Sequence, residues 1–240
     1  PEARITAQEN ITLAFIAAGV VGLAVPFIVG SWSPSFPAHD MAARWPAFKA
    51  GIQEVLRHRL ILVTSVAHAA QFVLNGALGA FLPLYGRDVV GLTTPQLGWL
   101  FAGQTVTTLA IRPLFGAISD RAGRRGVIVA GLVVCSIAIG ALSVTSNSWT
   151  LAAAVMVYAA GVATTTAATS AFITDVSRRA RYGAAHGVFG TIYDIGDATG
   201  PIGAGLLVAA VGYASMFRAL AVTGLLMAVV FAVASRPGVG

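Results

Sequence analysis

The chain has 240 residues, of which 57% are hydrophobic and only 10% charged, with a mean hydropathy of +0.81. Soluble domains carry about 25% charged residues, so this composition excludes an ordinary water-soluble fold and makes an integral membrane protein the expectation. The net charge of +6 does not imply nucleic acid, because the basic residues lie between apolar segments and form no continuous face.

A helix that crosses the ~30 Å hydrocarbon core needs about 20 mostly apolar residues. Seven segments meet that need, at about 11–30, 59–84, 94–117, 126–146, 149–174, 184–210 and 213–235. The expected fold is all-α and integral to the membrane, since lipid-exposed strands would leave backbone groups unpaired. The 27 glycines allow the close helix contacts that membrane bundles use. After the first span, Ser31-Trp-Ser-Pro34-Ser-Phe-Pro37 is a breaker cluster. Residues 46–57 then alternate apolar and polar positions at helical spacing and read as an amphipathic surface helix. The chain thus divides into a leading helix over 1–30, a connection over 31–58 and a six-helix bundle over 59–240. Cys135 lies inside an apolar run and offers no disulfide framework. The chain starts at Pro1 without a cleavable signal pattern, which reads as a fragment, a processed product or a piece of a larger complex.

Orientation follows from the Lys and Arg distribution. With the N-terminus outside and the C-terminus inside, twelve of the 15 basic residues fall at or near the inner face, and only Arg4, Arg87 and Arg218 fall outside. Trp99, Trp149 and Tyr213 then lie near the outer interface. The expected location is the cytoplasmic (inner) membrane of a prokaryotic cell.

Between the third and fourth spans stands Gly116-Ala-Ile-Ser-Asp120-Arg121-Ala-Gly123-Arg124-Arg125. A plain positive-inside loop needs arginines but neither the Asp nor the two glycines. The stretch resembles the signature loop of the major facilitator superfamily of secondary transporters, G-x-x-x-D-[RK]-x-G-[RK]-[RK]. Further similarities are Phe81-Leu-Pro-Leu-Tyr85 followed by Gly91-Leu-Thr, and Thr174-Asp175-Val-Ser-Arg178 running to Arg181-Tyr-Gly183. Gly187, Gly196, Gly200, Pro201 and Gly205 resemble the family's antiporter glycines, although Ala204 replaces one of the final pair. The layout resembles the family's sixth helix, its central cytoplasmic loop and its whole six-helix C-terminal half, a 3+3 inverted repeat. The N-terminal half often carries an Arg in its fourth helix before a Gln-Gly pair. The matching stretch, Val157-Tyr-Ala-Ala-Gly161, lacks it.

The resemblance implies solute transport by alternating access, with either a missing N-terminal half or a second copy of the chain as partner. It also implies a gating role for Gly116, Asp120, Arg121, Gly123, Arg124 and Arg125. The arginines would pair with carboxylates such as Asp175 and with lipid phosphates. Asp194 and Asp197 lie about ten residues or more into the sixth span, ~15 Å deep at 1.5 Å per residue. Spacing of three puts them on one helix face, and ionised acids at that depth face a bundle interior or a wet cavity. They are candidates for proton or cation coupling, with Asp194 the preferred one; a purely structural role, hydrogen-bonded to Tyr193 or His186, is the alternative. Pro201 frees the carbonyl of Asp197, and Gly196 and Gly200 permit a bend there. His68, Gln71 and Asn75 share one face of the second span, and Gln104, Thr108 and Arg112 share one face of the third. With Tyr193 they form the candidate substrate cavity, or serve as glue between helices. Thr164, Thr165, Thr166 and Ser170 read as packing and backbone-bonding groups. The sequence carries no metal-ligand spacing, phosphate loop or nucleophile–base set, so no cofactor, no metal and no enzyme activity are expected. The substrate is a small molecule, with symport and antiport both open. A non-transporting scaffold or assembly subunit of a membrane complex is the other class of reading.

Overall fold

The computed structural model describes residues 55–177 and 182–236, together with 16, 19, 20, 22–26, 49, 52 and 53. Among these residues all regular structure is helical. The chain forms two units, Pro1–Trp45 and Pro46–Gly240. In the first, residues 16, 19, 20 and 22–26 are helical; the breaker cluster at 31–37 lies outside the described residues, as do Arg178, Arg179 and Arg181. In the second, Lys49, Ile52, Gln53 and Val55–Arg57 are helical, and Val55 is buried against Ile61, Ile173 and Phe189.

Five continuous helical elements follow: α1, Arg59–Asp88; α2, Thr94–Ala122; α3, Arg124–Leu142; α4, Ser148–Val176; and α5, Tyr182–Ala234. Local chemistry sets their starts. At α2 the Thr93 amide donates to Gln96 Oε1 at 2.8 Å, and at α4 the Thr150 amide donates to Asn147 Oδ1 at 2.9 Å. Each bond satisfies a backbone donor that the first helical turn leaves over. Four of the helices, α1, α3, α4 and α5, are long and apolar enough to cross a membrane. The 29 residues of α2 include Gln96, Gln104 and Arg112 as well as a charged end, and of them only Leu100 and Ser119 are buried. A helix so polar and so uncovered has one side left open by its neighbours in this bundle.

The charged stretch is not an extended loop. Gly116–Ala122 forms the last two turns of α2, and α3 begins at Arg124. Gly123 alone makes the turn, at φ 90°, a conformation that glycine adopts without Cβ strain. The arginines and alanines around it are good helix formers and continue the helices up to that residue.

At 53 residues, α5 would be ~80 Å long if straight, far beyond one ~30 Å crossing. It breaks at Gly212, φ 76° and ψ 173°, into arms 182–211 and 213–234. Ala184 and Ala185 pack with Ile61 and Ile173 at the end of the bundle that carries the charged stretch, hereafter the motif end. Phe217 joins Tyr85 at the far end, and Phe231 returns to Val127 and Phe172 at the motif end. The second arm therefore runs back alongside the first.

In lipid, helices associate through close packing and hydrogen bonds more than through apolar burial. The first arm of α5 seats against α1 by a Gly196-x-x-x-Gly200 pair. A Cβ at Gly196 would strike the backbone of Ala69, and one at Gly200 the backbone of Val73 and Ala77. From the other side, a Cβ at Gly76 would meet the Asp197 carbonyl and the Pro201 ring. The carbonyl that Pro201 leaves without a helical amide thus points into this contact. Residues 196–201 stay helical and the backbone break falls at Gly212, so these glycines serve close approach here. At the far end Tyr85 donates to the Thr145 carbonyl at 2.6 Å, a buried anchor between α1 and the α3–α4 turn.

Candidate functional site

Two polar assemblies stand out, one at the motif end and one inside the bundle. At the motif end Arg124 is the hub. Its Nη1 lies 2.6 Å from Asp120 Oδ1 and 3.0 Å from Ser119 Oγ, both on the last turns of α2. Its Nε donates to Asp175 Oδ2 at 2.5 Å, on the last turn of α4. One guanidinium thereby ties the end of α2, the start of α3 and the end of α4. Its planar fork allows this, where a lysine ammonium would serve fewer fixed directions. Arg125 lies 5.9 Å over the ring of Phe172, within cation–π range. Arg121 is exposed and makes no ion pair among the described residues.

The second assembly is a cavity of about 440 Å³ between α1, α2, α4 and the first arm of α5. Its polar lining is His68, Arg112, Thr166, Ser170, His186 and Tyr193, and Phe72 and Phe189 supply aromatic walls. The His68 ring stacks on Phe189 at 4.8 Å and 14°, and meets Tyr193 edge-on at 5.3 Å. Counting along each helix from its motif end, these residues lie roughly 6–20 Å into the bundle.

The hydrogen bonds assign the imidazole tautomers. Thr169 Oγ1 donates to the Thr165 carbonyl at 2.8 Å, so His68 Nδ1, 3.2 Å away, donates to it. Thr174 likewise donates to the Ser170 carbonyl, and His186 Nε2 donates to Thr174. In a neutral ring the second nitrogen of each histidine is then an acceptor. Thr164 and Thr165 bond back to the carbonyls of Ala160 and Gly161, as membrane threonines often do. Thr166 departs from the expected pattern: its hydroxyl is buried without a protein partner, on the cavity wall.

The remaining candidates divide. Asn75 Nδ2 donates to Asp197 Oδ1 at 3.1 Å across the α1–α5 contact, and Asp197 is half-buried. Asp194 is exposed and does not line the cavity. Gln71 is fully buried, with neither amide atom bonded. Gln104 and Thr108 lie on α2, where Thr108 bonds back to the Gln104 carbonyl, and neither lines the cavity. Of the expected cavity set, the structure brings His68, Arg112 and Tyr193 together. His186 and Phe189 were missing from that set, although His186, Phe189 and Tyr193 recur at spacings of three and four, a helical stripe visible in the sequence. Among the described residues no group of three or more His, Cys, Asp or Glu could hold a metal ion.

Long apolar helices, a charged hub at one end and a polar cavity inside define an integral, multi-pass membrane protein. The sequence profile of the Major Facilitator Superfamily matches residues 64–239, and the chain belongs to that family. It is 25% identical over 178 residues to an uncharacterized MFS-type transporter of Methanocaldococcus jannaschii, covering 74% of this chain and 45% of that protein. It is 32% identical over 156 residues to the class C tetracycline resistance protein of Escherichia coli, covering 62% of this chain and 38% of the relative. It is also 32% identical over 110 residues to citrate exporter 1 of Aspergillus niger, covering 46% and 21%. The chain spans less than half the length of these relatives.

Proposed function

We propose that this chain supplies the six-helix C-terminal half of a facilitator-type transporter, over 59–240. The leading helix 1–30 and a central cytoplasmic loop over 31–58 precede it, and the six helices form a 3+3 inverted repeat. The assembled protein carries a small organic solute across a prokaryotic inner membrane by alternating access, without covalent chemistry. An N-terminal half or a second copy closes the open side of α2. The relatives named for citrate and for tetracycline support a small organic solute. The observation that carries the reading is the 440 Å³ polar cavity walled by four helices, one of which, α2, is largely uncovered by the others.

In this reading Arg124 holds the motif ends of α2, α3 and α4 in one state of the rocking cycle and releases them in the other. The motif end faces the cytoplasm, with Arg121 and Arg125 near lipid phosphates. Asp194 and Asp197 couple transport to protons or cations. Asp194 is exposed, while Asp197 is held by Asn75. The test is uptake by the purified protein in proteoliposomes under an imposed pH gradient. Asp194→Asn abolishes uphill accumulation and leaves downhill exchange, and Asp197→Asn mainly weakens binding or folding. Uphill transport with unchanged pH dependence in the double variant would remove the coupling role, and a protein that moves no solute would return the chain to the scaffold class.

A further inference from the structure

Among the described residues, the lining of the cavity carries one formal charge and no counter-charge. Arg112 sits ten residues before the end of α2, ~15 Å along the helix from its motif end. Among the described residues no carboxylate lies within ion-pair distance of it. The described acids of α2, α4 and the first arm of α5 are placed elsewhere. Asp120 and Asp175 are bound to Arg124, Asp197 to Asn75, and Asp194 is absent from the lining. A cation within a membrane segment is costly unless it meets an opposite charge or a wet cavity. Arg112 faces such a cavity, and its partner is not supplied by the described chain.

Resting on the transport reading above, we propose that this cavity binds a small monovalent carboxylate with an apolar or aromatic body, and that Arg112 takes the carboxylate. Four observations define that class. The guanidinium fork matches a carboxylate's two oxygens. Thr166 adds a hydroxyl with no partner among the described residues, buried on the same wall. Arg112 is the one permanent charge among the described lining residues and balances one negative charge; a phosphate or a tricarboxylate would bring more than that. Phe72, Phe189 and Tyr193, with ring centroids 4.6 Å and 5.4 Å apart along the row, form the apolar wall for the rest of the solute. The volume of about 440 Å³ falls within the usual range for small-molecule sites. Among the described residues no acid lines the cavity, which disfavours cations.

The probe is benzoate, compared with its neutral near-isostere benzamide, with benzylammonium and with citrate. Binding to the detergent-purified protein is read by isothermal titration, and uptake by proteoliposomes. Benzoate binds at least about tenfold more tightly than the other three, the scale of a hydrogen-bonded charge. Arg112→Gln loses about tenfold or more in benzoate affinity and Arg112→Lys loses less, both with an unchanged melting temperature. Should Arg112→Gln fail to fold, Thr166→Val serves, with a severalfold loss for benzoate and no change for benzamide. Equal or tighter binding of benzamide, benzylammonium or citrate overturns the inference. So does benzoate binding that is unaffected by Arg112→Lys and Thr166→Val together. Benzoate binding without uptake of any solute keeps the site and overturns the transport reading; benzylammonium uptake without benzoate binding keeps transport and overturns the site. If none of the four binds or moves, both fall.

Discussion

Arg124→Gln removes a tie between three helices, and its cost can be worked from exposure. Asp120 and Asp175 are 60% and 53% exposed, and Arg124 is 20% exposed. Ion pairs so open to water contribute about 0.5–1 kcal/mol each. The Ser119 hydroxyl at 3.0 Å adds a partly buried bond to the charged group, bringing the total to about 2 kcal/mol. If the hub forms in one state of the rocking cycle and not in the other, its loss shifts that equilibrium ~30-fold. Asp120→Asn and Asp175→Asn each shift it about threefold, and the effect shrinks in 1 M salt because the pairs are exposed. The assay is the modification rate of Ser170→Cys on the cavity wall by an impermeant maleimide, in a Cys135→Ser background. A double-mutant cycle isolates the hub: in Arg124→Gln, the Asp120→Asn and Asp175→Asn effects vanish. A rate unchanged within twofold in Arg124→Gln, or Asp effects that persist without the arginine, would refute the assignment.

Gly200→Leu drives a side chain into the backbone of Val73 and Ala77, and overpacking of this kind costs about 1–3 kcal/mol; unfolding in mixed detergent micelles measures it, and unchanged stability would contradict the α1–α5 contact. Ala122→Cys and Val144→Cys, both exposed and at opposite ends of the bundle, react from opposite sides of sealed vesicles in the Cys135→Ser background, with Ala122→Cys on the cytoplasmic side. Labelling of both from one side would refute the threading.

The helical segments were legible because their apolar runs are long and bounded by Gly, Pro or charge. Their ends were less so. Residues 116–122 look like a loop by charge alone, but charged residues and alanine continue a helix readily, and only the φ of Gly123 shows where α2 stops. The motif residues could be named from the sequence, whereas the assignment of both acids to Arg124 depends on three helix ends meeting in space. Asp194 and Asp197 share a helical register but not an environment: Asn75, 122 positions away from Asp197, takes one of them. The cavity was half legible. His68, Arg112 and Tyr193 were found by stripe and polarity, whereas Thr166 stood out only once its neighbours Thr164 and Thr165 proved to be bonded to their own helix.

Gly123 and Gly212 each join two helices by a single residue, in open surroundings where a Cβ would touch nothing. Such a joint has no slack. A pull on the end of α2 reaches α3 within one residue, with no spare chain to absorb it, and the two arms of α5 are tethered in the same way at the opposite end of the bundle. Motion in this bundle is therefore transmitted as in a linkage of stiff rods. Lengthening either joint by a few flexible residues would leave every side-chain contact available and still uncouple the stroke of one rod from the next.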